Sequence, residues 1–125
     1  MKIYQVRNFL SDWLKIFAAF GYSLDGIRVA LKTERALQQE VVLGVPMILY
    51  AALSAHTAVE KILLIGPVLL VWMAELFNTA IEATIARISH EIHPMAKIAK
   101  DTASAAVLMM LLLTGLSWGL ILYSH

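Results

Sequence analysis

Apolar residues fall into two patterns along the chain. Between Val6 and Phe20, Phe9, Leu10, Trp13, Leu14, Ile16, Phe17 and Phe20 recur at helical spacing, interrupted by Arg7, Asp12 and Lys15. That mixture predicts an amphipathic helix lying in a membrane interface rather than crossing it. Gly21 is expected to break or bend it. A second helical stretch follows from Tyr22, with Asp25, Arg28, Lys32 and Arg35 on its polar face, so residues 6–33 read as surface helices.

After residue 33 the pattern changes to long apolar blocks. Val41–Ala55 is only 15 residues, short of the roughly 20 needed to span a bilayer. The helix must therefore begin near Glu34, which predicts a span over about 34–55. Pro46 lies inside it, and membrane helices tolerate such a residue. A brief polar turn, Ser54–Lys61, makes the next span antiparallel, over about 62–86. A polar segment, RISHEIHPMAKIAK, runs from Arg87 to Lys100, with Pro94 as a helix-start signal. A third span covers 101–123. The expected fold is all-α: three transmembrane helices and an amphipathic surface helix in one membrane domain.

Composition agrees. The 125 residues are 60% hydrophobic with a mean hydropathy of +0.74, well above the usual 45–50% apolar content of soluble domains. The absence of cysteine excludes disulfides and thiolate metal sites. The distribution of charge is more informative than its sum. Lys2, Arg7, Lys15, Arg28, Lys32 and Arg35 precede the first span, and Arg87, Lys97 and Lys100 lie between the second and third; only Lys61 is on the opposite side. By the positive-inside rule the N-terminus is cytoplasmic and the C-terminus outside. Of the acids, only Glu60 falls outside, so the chemistry belongs to the cytoplasmic interface.

One stretch breaks the rules of a lipid-facing helix. In ELFNTAIEA, Glu75, Asn78 and Glu82 share a face at i, i+3 and i+7, and Thr79 joins them. The two carboxylates are separated by two turns, roughly 10 Å. Ionisable residues in a membrane helix cost about 2.5–3.5 kcal/mol on insertion scales and mark function or a polar seam between helices. Carboxylates without cysteine suit a hard cation such as Mg²⁺, commonly shared with phosphate. Lys97, Lys100 and Asp101 cluster at i, i+3 and i+4, where lysines can bind phosphate as point charges. A carboxylate deprived of water is a competent proton acceptor. Metal, cations and a base are the parts of phosphoryl transfer. Neither a P-loop nor a GxGxxG motif occurs, and His90-Glu91-Ile92-His93 is one residue short of the HExxH zinc spacing. Gly115 and Gly119 form a GxxxG pair suited to close helix contact, Ala103–Ala106 give a second small-residue surface, and His56 reads as a plain turn residue.

AELFNTAIEA, followed by AKDTASAAVL, resembles the signature of bacterial integral-membrane diacylglycerol kinases, and ALKTERALQQE resembles the entry to their first span. The similarity runs from about Phe9 to His125. It implies a homotrimer in the inner membrane that uses ATP and Mg²⁺ to phosphorylate diacylglycerol to phosphatidic acid, with sites shared between subunits and no nucleic-acid partner. On this resemblance Glu75 is the general base and Asn78 a catalytic-site amide. Glu34 and Glu82 are the metal carboxylates, and both also fall at the nucleotide, with Lys15, Tyr22, Glu91, His93, Lys100 and Asp101. Arg28, Gln38, Gln39, Glu40 and Ser104, with Glu75, fall at the lipid. The sequence departs from the family pattern at Ala86, commonly Asp, at Lys15, commonly Arg, and at Pro94. Undecaprenol kinase is the near alternative. A non-enzymatic membrane subunit or proton-relay transporter component is the alternative of a different class.

Overall fold

The computed structural model describes the backbone of residues 2–124 and the side chains of residues 9–124. Lys2 and Arg7, which enter the charge count, and the terminal His125 therefore have side chains outside the described residues. Four helices follow in order: α1 (Lys2–Thr33), α2 (Arg35–Leu53), α3 (Ala58–Ile88) and α4 (Pro94–Tyr123). The chain divides into two compact units, α1 by itself and the three helices from Glu34 onward.

α1 corrects one expectation. It runs unbroken through Gly21 and Gly26, and both glycines have ordinary negative φ. A single glycine costs a helix about 1 kcal/mol relative to alanine, too little to stop one of 32 residues. Local i,i+3 pairs, Lys15–Asp12 at 3.9 Å and Arg28–Asp25 at 3.2 Å, decorate its exposed surface.

α2, α3 and α4 are each long and apolar enough to cross a membrane. At 1.5 Å per residue, the 19 residues of α2 reach about 28 Å, just the thickness of a hydrocarbon core. α3 and α4, at 31 and 30 residues, reach about 45 Å and overrun that thickness by several turns. The polar segments are accordingly shorter than the sequence suggests. Helix continues to Ile88 and resumes at Pro94, leaving only residues 89–93 as a connection. Pro94 occupies the first turn of α4, where its missing N–H costs nothing. At the other end α3 starts at Ala58 rather than 62, because Thr57 and Glu60 form a capping box: Glu60 N donates to Thr57 Oγ1 (3.2 Å) and Thr57 N to Glu60 Oε1 (3.0 Å).

α3 packs against both α2 and α4 and supplies most of the core: Leu64, Pro67, Val68, Val71, Ala74 and Glu75 are buried, facing Leu37, Gly44 and Ala51 of α2 and Ala103 and Val107 of α4. Two tryptophans fix the register. Trp72 Nε1 donates to the Glu40 carbonyl (3.2 Å) and Trp118 Nε1 to the Leu64 carbonyl (2.9 Å). An indole N–H in an apolar setting needs such an acceptor. The Leu64 bond lies next to Pro67, where the helix ladder already lacks one donor.

The close helix approach occurs at Gly44. A Cβ there would meet Val68 Cγ1 at 2.7 Å and Trp72 Cζ2 at 2.8 Å. Gly115 and Gly119, expected to make such a contact, have nothing within 4 Å of an added Cβ within this chain. Ala103, by contrast, is buried. His56 is more than a turn residue: its Nδ1 lies 3.7 Å from Glu60 Oε1 and its ring meets Tyr50 edge-on, closing the α2–α3 turn.

Candidate active site

α3 places Glu75 one turn beyond Trp72, on the face that packs against α2. It is the one buried charged residue among the described residues, at 6% exposure. Its carboxyl group lies within hydrogen-bonding reach of the Glu40 carboxyl on α2, and close enough to Glu34 and Glu82 for their charges to act on it. Four carboxylates from α3 and the head of α2 therefore converge, with no cation among the groups acting on Glu75. Such a cluster is accommodated by positive charge from elsewhere or by a proton shared between carboxyl groups.

Glu34 occupies the N-cap position of α2, yet its side chain caps nothing. Its carboxylate is left available beside the helix N-terminus, where negative charge is favoured. Asn78 Nδ2 donates to Glu82 Oε1 at 3.4 Å, holding the second carboxylate against the helix. Among the described residues, the buried side-chain polar atoms without a partner are Glu40 Oε2, Asn78 Oδ1 and Thr79 Oγ1. All belong to this cluster or adjoin it. Buried polar atoms are normally satisfied, so three exceptions around one spot mark a place built for something polar.

The oxygen-only donor set suits a hard cation. No group of three or more acidic or imidazole side chains among the described residues is tight enough to hold an ion by itself.

Two apolar hollows flank the carboxylates. One, about 210 Å³, starts at Glu40 and runs along Gly44, Met47, Val68, Trp72 and Thr114. The other, about 280 Å³, lies between α3 and α4 beside Asn78, Phe77, Ala103 and Met110. Beyond Glu82, the α3–α4 connection borders an open cavity of about 330 Å³ whose lining includes the polar residues Glu91, His93, Lys97, Lys100 and Asp101, with Ala86. His93 Nδ1 accepts from Met95 N (3.1 Å), so this ring caps α4. Lys97 Nζ is engaged with Asp101 Oδ2 at 2.6 Å.

The sequence-derived residues thus separate into groups. Glu34, Glu40, Glu75, Asn78 and Glu82 come together. Glu91, His93, Lys100 and Asp101 come together around the open cavity. Gln38, Gln39 and Ser104 are exposed on their helices, Ala103 rather than Ser104 being the α4 residue turned to α3. Lys15, Tyr22 and Arg28 belong to α1, the other compact unit. Sequence reading did not foresee Trp72 and Gly44, which seat Glu40 beside Glu75. The available signal was a lone indole N–H three residues before Glu75 in an otherwise apolar run.

Comparison with known proteins identifies a family and several relatives for this chain. The family described as Prokaryotic diacylglycerol kinase matches residues 21–122. A protein named diacylglycerol kinase from Escherichia coli (strain K12) is 37% identical over 120 residues, covering 96% of this chain and 98% of that one. The Pseudomonas aeruginosa protein of the same name is 43% identical over 108 residues (86% and 88% covered). That of Helicobacter pylori (strain 26695) is 38% identical over 119 residues (95% and 93%).

Proposed function

The chain belongs to the prokaryotic diacylglycerol kinase family, and from that membership and the carboxylate cluster we propose that it transfers the γ-phosphoryl group of ATP to the free hydroxyl of diacylglycerol, giving phosphatidic acid and ADP. The convergence of Glu34, Glu40 and Glu82 on the buried Glu75 carries the reading. Carboxylates at the edge of an apolar core support a site where one could accept a proton and others bind a cation, beside a lipid alcohol and a nucleotide.

In this reading Glu75 takes the proton from the lipid hydroxyl as its oxygen attacks phosphorus. The bond from the γ-phosphorus to its bridging oxygen breaks, and ADP leaves with the electron pair. Glu34 and Glu82 would hold Mg²⁺, which when bound would supply positive charge against the phosphates. Asn78 orients Glu82. Glu91, His93, Lys100 and Asp101 hold the nucleotide in the open cavity, with Lys100 supplying positive charge. The family resemblance further assigns Lys15 and Tyr22 to the nucleotide, and Arg28, Gln38, Gln39, Glu40 and Ser104 to the lipid headgroup. The apolar hollows beside Glu40 and Asn78 take acyl chain. The spans lie in the inner membrane with the N-terminus and the α3–α4 connection cytoplasmic. α1 lies on the membrane surface, and three subunits assemble with shared sites.

The test is transfer of labelled phosphate from ATP to lipid in detergent micelles, with diacylglycerol and undecaprenol side by side. Labelled phosphatidic acid, formed faster than undecaprenyl phosphate, is the expected result. The reverse preference would move the chain to the other lipid, and absence of any labelled lipid would overturn the kinase reading.

A further inference from the structure

Threonine hydroxyls inside helices ordinarily donate back to the carbonyl four residues earlier. Thr33, Thr84, Thr102 and Thr114 do so, each at 2.8 Å. Thr79 does not: its Oγ1 is buried and has no partner among the described residues. A hydroxyl buried without a hydrogen bond is costly, and the usual local remedy, the Glu75 carbonyl one turn back, is not taken.

The position of Thr79 gives this exception meaning. On α3 it follows Glu75 by four residues and precedes Glu82 by three. That is about 40° and 60° around the helix, and about 6 Å and 4.5 Å along it. Along the axis Thr79 thus lies between the two carboxylates assigned above to the lipid alcohol and to the metal-bound nucleotide, displaced to one side of both around the helix. The neighbouring orphans, Glu40 Oε2 and Asn78 Oδ1, are acceptors, and the Asn78 N–H₂ is already engaged with Glu82. The Thr79 O–H is the one donor among the three orphaned atoms, beside a cluster of four carboxylates and the Asn78 amide. An anionic group moving past these carboxylates needs a donor there.

We infer that the Thr79 hydroxyl is a catalytic hydrogen-bond donor to an oxygen of the phosphoryl group as it passes from nucleotide to lipid. The inference rests on the kinase reading above. It adds a residue that neither acidity nor charge pattern marks out.

The test uses the full chain in detergent micelles, with T79V, which keeps shape and branching but removes the hydroxyl, and T79S, which keeps it. T79V is expected to lower kcat by about 10²-fold, the scale of losing one donor to developing charge. Its KM for diacylglycerol and its binding of a non-hydrolysable ATP analogue should stay within about twofold of the parent, and T79S should recover most of the rate. Because the hydroxyl is unpartnered, T79V should unfold at the same temperature as the parent or higher. Parental kcat in T79V would overturn the inference and leave the kinase reading standing. So would a lowered melting temperature with kcat unchanged, which would assign the hydroxyl to a buried water, or a rise confined to the lipid KM, which would assign it to the lipid headgroup. An inactive parent chain would overturn both.

Discussion

The carboxyl groups of Glu40 and Glu75 meet across the α2–α3 interface, within hydrogen-bonding reach. Two ionised carboxylates at that separation repel, and the fold keeps them there by fastening the Glu40 backbone to Trp72. Their substitutions should separate stability from chemistry. E75Q keeps the shape, removes the proton acceptor and should lower kcat by about 10²–10⁴ with ATP binding retained, the usual worth of acid–base catalysis. E40Q relieves repulsion without touching the proposed base, so it should raise the unfolding temperature in detergent and cost less turnover than E75Q. Near-parental turnover in E75Q would place the base elsewhere.

Glu34 and Glu82 act on Glu75 from the end of α2 and from two turns along α3. If they share one divalent ion, E34Q and E82Q should each shift the Mg²⁺ titration of activity upward by at least about tenfold, with lipid KM little changed. N78A, which frees Glu82 from its 3.4 Å hydrogen bond, should shift the same titration less. An unchanged titration in both glutamate variants would exclude them as ligands.

The sequence carried the spans and the acidic face because both follow from short periodicities: apolar length, and the i, i+3, i+7 spacing of Glu75, Asn78 and Glu82. It misjudged element ends. Gly21 looked like a break, but α1 continues through it because one glycine costs little. Within the polar 87–100 segment Pro94 does mark the helix start, and because polar residues beyond the hydrocarbon core are as content on helix as off it, only residues 89–93 leave helix. What could not be read was pairing between helices. Nothing in the period of α2 says that Gly44 receives Trp72, or that Glu40 rather than Gln39 meets Glu75. Those depend on register, set by packing across the interface.

That register makes Gly44 a sensitive position. A methyl group there would stand 2.7 Å from Val68 Cγ1 and 2.8 Å from Trp72 Cζ2, both on the helix face that seats Glu40. G44A should destabilise the chain by about 1–3 kcal/mol, the usual cost of overpacking. It should also change Trp72 fluorescence as the indole leaves the Glu40 carbonyl, and reduce turnover as Glu40 and Glu75 part. Unchanged melting and emission would show that α2 and α3 can separate without penalty.

Lys97 and Lys100 line the same open cavity but differ in engagement. Lys97 is held by Asp101 at 2.6 Å, and the pair is exposed, so its loss should change stability little. Lys100 has no ion-pair partner among the described residues. K100A should therefore raise the KM for ATP by about tenfold, the scale of one charge-assisted contact. K97A should raise it less, and the effect of K100A should shrink as salt is added. Equal effects of the two substitutions would mean that nucleotide displaces Asp101 from Lys97.

The opposite half of the helices, around Leu64 and Trp118, offers the contrasting case. Trp118 Nε1 reaches the Leu64 carbonyl at 2.9 Å, and its ring packs on Tyr50 with centroids 5.9 Å apart. This ties α4 to α3 beside Pro67, far along the helices from Glu75. W118F keeps most of the ring contact and removes the donor, so it should destabilise by about 0.5–1.5 kcal/mol. Because the carboxylate cluster is seated by Trp72 and Gly44 instead, kcat and both KM values should stay within about twofold of the parent, a bound set by the distance over which separate sites act independently. A large loss of turnover with little loss of stability in W118F would mean that the two halves of the helices move together, and the cluster would then have to be explained by the whole bundle rather than by α2 and α3.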